Sequence, residues 1–124
     1  MRNVLMIGVS GGMGALSRYW LEGFIVRRYS GIFPLGTFLV NISGAFLLGL
    51  AFTVMTERFL MSPHLRSAVT IGFLGAYTTF STLSLETLRL VEDGAYFFGL
   101  LNALGSLVIG LVAVWLGVVV GRTI

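Results

Sequence analysis

The chain has 124 residues, of which 56% are hydrophobic and 10% charged, with 17 Gly, a net charge of +3 and a mean hydropathy of +0.97. An ordinary soluble domain carries about 25% charged residues, so this composition excludes a soluble fold and identifies an integral membrane protein. The absence of Cys excludes disulfides, thiolate metal sites and cysteine nucleophiles, and the lack of a basic stripe interleaved with aromatics excludes a nucleic-acid surface. The pI near 10 is compatible with anionic lipid headgroups.

Nearly uncharged stretches cover residues 4–26, 35–56, 67–88 and 95–121, each long enough for the ~20 residues that cross a bilayer as a helix. Together they predict an all-α integral membrane protein with four transmembrane helices in a single domain, 1–124, with no room for a soluble domain. The first stretch is expected to be retained, because Arg18 and Glu22 interrupt it and no small-residue cleavage pattern follows. Gly11, Gly12 and Gly14 predict a helix-packing face rather than a nucleotide-binding loop, since no strand precedes them and no Lys-Ser/Thr follows. Arg18 lies too deep in this span to be comfortable unless it faces water or pairs with Glu22 one turn on.

The connection at 27–34 holds Ser30, Gly31 and Pro34. Asn41 then sits about two turns inside the second span, where its side chain can donate to an anion or hydrogen-bond a neighbouring helix. The connection at 57–66 contains Pro63 and the lone His64, which is expected to be a solvated loop residue. The third span carries the most telling feature, the run T-T-F-S-T-L-S from Thr78 to Ser84. Its three Thr and two Ser are poor helix formers, so the helix is expected to open here. In lipid such an opening survives only where protein or a water-filled path covers the freed backbone, which is how many transporters build ion sites. After the 89–94 connection, Asn102, Ser106 and Gly110 recur every four residues and share a face of the fourth span.

Small residues also recur four apart at Gly8 and Gly12, Ala45 and Gly49, Gly72 and Ala76, and Ala113, Gly117 and Gly121, a spacing that lets helix backbones approach. Four tightly packed helices leave no lumen in one subunit, so a conduction path is expected where two subunits meet. With four spans, Arg2, Arg58, Arg66 and Arg122 lie on the side of the termini and Arg27, Arg28 and Arg89 on the other. This near-tie is compatible with insertion in both orientations and an antiparallel, dual-topology dimer.

Three segments carry a family resemblance: Gly-Gly-Met-Gly-Ala-Leu-Ser-Arg at 11–18, Gly-Thr-Phe-Leu-Val-Asn-Ile-Ser-Gly at 36–44, and residues 72–86 around the break. In that order, in a chain of this length, they resemble the Fluc/CrcB fluoride channel family over essentially the whole sequence. The resemblance implies a fluoride-selective passive channel, not an enzyme. It would export fluoride and relieve its toxicity as an antiparallel homodimer in a prokaryotic inner membrane. It also implies a structural sodium ion held by backbone carbonyls of Gly75 and Thr78, against which stands a collapsed kink with no ion.

The resemblance places fluoride-pore residues at Asn41, Phe80, Ser81, Thr82, Leu83, Asn102 and Ser106, with Arg18, Thr37 and Glu86 as vestibule or supporting groups. The rim of the Phe80 ring carries the positive end of its quadrupole and suits a small anion. Ser81 and Thr82 offer hydroxyl donors or bond back to the backbone. Glu86 would repel fluoride directly, which favours a structural hydrogen bond. Leu83 departs from the family, which places a second Phe there; a slower channel, a tolerated variant and a heterodimer whose partner supplies the ring all remain open. Gly110 likewise lacks a hydroxyl found in the family. The rival functions are a dual-topology exporter of cationic drugs, which needs a membrane-embedded acid, and an accessory membrane subunit.

Overall fold

A computed structural model describes residues 1–124. The chain is helical with no strand, and forms α1 (Arg2–Arg28), α2 (Leu35–Arg58), α3 (Pro63–Glu92, interrupted at Thr78 and Thr79) and α4 (Tyr96–Thr123). Of these, α2, α3 and α4 are long and apolar enough to cross a membrane. At 27 residues α1 has the length, but Arg18, Glu22, Arg27 and Arg28 dilute its apolar character.

Local chemistry sets the ends. Arg27 and Arg28 complement the partial negative charge of the α1 C-terminus. Ser62 accepts from the Leu65 N–H and Pro63 follows as the first helical residue, so α3 starts at Pro63 rather than after the expected 57–66 loop. His64 therefore lies in the first helical turn, partly buried with Nδ1 unpartnered, and is not the solvated loop residue expected. At the other end Gly94, with φ 79°, adopts the left-handed conformation that closes a helix.

Two tight pairings organise the bundle, α1 on the first half of α3 and α2 on α4. At the α2–α4 crossing, a Cβ on Gly49 would overlap the Val114 carbonyl, and one on Gly117 the Phe46 carbonyl. The pair therefore approaches backbone to backbone, as the spacing of Ala113, Gly117 and Gly121 predicts. On α1 it is Gly14 that meets Phe73 and Gly11 that meets Gly72. A Cβ on Gly8 or Gly12 would meet no other part of this chain within 4 Å, so these two do not form the face that packs on α3.

Past the break, the second half of α3 leaves α1 and packs against the start of α4. π-helical turns at Val54–Arg58, Ala68–Leu74 and Leu101–Gly105 shift the rotational phase of α2, α3 and α4. Only 20 of 124 residues are buried, so most of the apolar surface faces outward, toward lipid or another chain.

Candidate functional site

The helix opens where the hydroxyl run predicts. Thr78 and Thr79 are extended (ψ 157° and 114°), and helix resumes at Phe80. The Thr79 hydroxyl caps the new N-terminus, accepting from the Thr82 N–H at 3.2 Å. It also contacts the Ser81 and Thr82 hydroxyls at 3.3 and 3.1 Å. Thr79 was absent from the sequence-derived site, although a Thr just before a helix start is a capping signal.

The freed backbone is satisfied from distant parts of the chain. Asn41 grips Thr79 at two points: its Oδ1 accepts from the Thr79 N–H at 2.8 Å, and its Nδ2 donates to the Thr79 carbonyl at 3.1 Å. This is the helix-to-helix hydrogen bond that sequence reasoning weighed, and it leaves one Nδ2 hydrogen for another acceptor. Arg18 Nε donates to the Ala76 carbonyl at 3.2 Å. The Arg18–Glu22 ion pair, one of the two alternatives for Arg18, does not form; the only salt bridge joins Arg122 and Glu57 at the far end. Tyr77, stacked on Phe73, shares a 2.9 Å hydrogen bond with Ser43 and steadies the residue before the break.

In an unbroken helix the Thr79 N–H would donate to the Gly75 carbonyl and the Thr82 N–H to that of Thr78. Both donors point elsewhere, to Asn41 and to the Thr79 hydroxyl. The carbonyls of Gly75 and Thr78 thus lose their helical donors, which leaves two oxygens of the kind that suits a hard cation.

A groove of about 830 Å³ runs along the break between α2, α3 and α4. Asn41, Thr79, Phe80, Leu83 and Ser106 line it, and none of its 20 lining residues is charged. Phe80 is 82% exposed, so its ring is not core packing within this chain. Ser81 is exposed and Thr82 half-buried beside the groove, both within the Thr79 cluster. Thr37 donates to Glu86 Oε1 at 2.8 Å, which gives Glu86 a structural hydrogen bond, while Oε2 has no partner. Asn102 is fully buried and donates to Thr87 at 3.0 Å. Thr87 was also missed, since only the packing of α3 on α4 reveals that contact.

Residues 5–118 match the family described as CrcB-like protein, Camphor Resistance (CrcB). A protein of Solibacter usitatus named Fluoride-specific ion channel FluC is 47% identical over 118 residues, 95% of this chain and 97% of that one. Proteins of the same name from Geotalea daltonii and Geotalea uraniireducens are each 48% identical over 124 residues, the whole of both chains. With the family match spanning nearly the entire sequence and relatives this similar end to end, the chain belongs to the CrcB-like family.

Proposed function

We propose that this chain is a fluoride-specific passive channel that lets fluoride leave the cell and so relieves its toxicity. The observation that carries the reading is the uncharged groove along the α3 break, which combines amide and hydroxyl groups with the exposed Phe80 ring. Fluoride gives up strongly bound water in a narrow path and must find donors in return, yet a fixed charge would hold it too tightly for passage. Neutral N–H and O–H groups and a polarised ring edge meet both requirements. The relatives from Solibacter and Geotalea carry that activity in their names.

In this reading all four helices, α1 included, cross the inner membrane of a prokaryote as one domain. Two chains associate as an antiparallel homodimer, so that each covers the groove of the other. The near-tie of Arg between the two ends supports insertion in both orientations. Gly75 and Thr78 would hold a sodium ion through their carbonyls; the ion would supply a fixed positive charge close to an anion path. Arg18 fastens the break rather than facing fluoride, and Thr37 with Glu86 braces α2 against the second half of α3.

The test is efflux from potassium-loaded liposomes carrying the purified protein, triggered by valinomycin. Rapid fluoride release with chloride release at the level of empty liposomes is expected. Equal release of both ions, or of neither, contradicts the reading.

A further inference from the structure

Beside the groove, α4 carries a hydrogen-bonding conflict. Asn102 is fully buried, its Nδ2 donates to Thr87 Oγ1 at 3.0 Å, and the Thr87 hydroxyl donates in turn to the Leu83 carbonyl at 2.8 Å. Asn102 Oδ1 is buried without a partner, and so is the Ser106 hydroxyl one turn further on. Buried polar groups are rarely left unmade, because each forfeits its hydration with nothing in return. The π-helical turn Leu101–Gly105 contains Asn102 and ends at Ser106, a distortion often found at functional sites.

Turning the carboxamide over gives Oδ1 a donor and changes the unpartnered group from an acceptor to a donor. The Thr87 hydroxyl then swings from the Leu83 carbonyl, which keeps its helical N–H, to donate to Oδ1. The amide N–H bonds take up the position where Oδ1 now has no partner. A hydroxyl serves both orientations because it accepts in one and donates in the other.

We propose that Thr87 is a positioning residue for anion passage: its hydroxyl sets the orientation of the Asn102 amide and lets it present N–H, together with the Ser106 hydroxyl, to a small anion. This assignment rests on the fluoride-conduction reading. Val at position 87 keeps the shape but can neither accept nor donate, whereas Ser can do both.

The experiment measures efflux against fluoride concentration for the reconstituted full chain and for Thr87→Val and Thr87→Ser. It also follows the Asn102 side-chain amide resonance in ¹⁵N-labelled protein, assigned by its loss in Asn102→Ser, with fluoride and with chloride. Thr87→Val is expected to raise the half-saturating fluoride concentration about tenfold, the scale of one lost hydrogen bond. Thr87→Ser is expected to restore it. The amide resonance should move with fluoride but not chloride in the wild type and Thr87→Ser, and stay fixed in Thr87→Val. Should Thr87→Val fail to assemble, Thr87→Ala against Thr87→Ser decides in the same way. A conducting wild type whose Val or Ala variant keeps the same concentration dependence and amide shift overturns the assignment of Thr87 alone. A wild type that does not conduct fluoride overturns the channel reading beneath it.

Discussion

Where α2 crosses α4, the backbones approach through Gly49, Gly117 and Gly121 with both helices continuous. At Thr78 and Thr79 of α3 the helix opens, and its stranded groups are taken by Asn41 and Arg18, 38 and 58 residues away in sequence. Both regions bring backbone close to other atoms in a low-dielectric interior. The crossing does so through an absence of side chains, so it is stiff and indifferent to charge. The break does so through specific polar side chains, so it offers partly free donors and acceptors to an ion. The contrast separates the part of the molecule that holds the bundle together from the part that leaves polar groups available to a ligand.

The comparison breaks most visibly at the crossing. Gly117→Leu drives a side chain into the Phe46 backbone, and overpacking of this kind should destabilise by about 3 kcal/mol or more. Loss of monodisperse protein in size exclusion checks this, and failure should precede any change in selectivity. Asn41→Ala acts at the break instead: it removes both hydrogen bonds to Thr79 and should cost about 2 kcal/mol in a thermal melt while cutting fluoride efflux at least about tenfold. A smaller effect follows from Arg18→Met, which leaves the Ala76 carbonyl without its donor and should cost about 1 kcal/mol, with a reduced flux in the same assay. Arg122→Gln, which breaks a solvent-exposed ion pair with Glu57 at the end of the α2–α4 pair and far from the break, should leave melting temperature and flux nearly unchanged.

The two regions were also unequally legible in the sequence. The crossing announces itself through small residues four apart, and the break through three Thr and two Ser in seven positions, because both signals are local. What satisfies the break is not local. Arg18 has Glu22 one turn away and an obvious ion pair on paper, yet bonds the Ala76 carbonyl, since helix-to-helix packing decides where its fork points. Within the chain, Gly11 and Gly14 hold the α1 face that meets α3, whereas Gly8 and Gly12, which have the four-residue spacing, point away from it. The π-helical turns are invisible to a 3.6-residue period and rotate everything beyond them, including Ser106 relative to Asn102. Thr87 becomes visible as a site residue only once α3 has turned at the break and met α4.

The central claim is that the α3 break is the ion-conducting part of the molecule, with Phe80 at its exposed edge. It is tested most directly by valinomycin-triggered efflux from potassium-loaded liposomes, comparing the wild type with Phe80→Ile, which keeps an apolar side chain but removes the polarised ring edge. Fluoride efflux that is fast and chloride-excluding in the wild type, and lost in a Phe80→Ile protein of unchanged oligomeric size, is the predicted result. Undiminished fluoride efflux through Phe80→Ile would contradict the account and move the ion path away from the break.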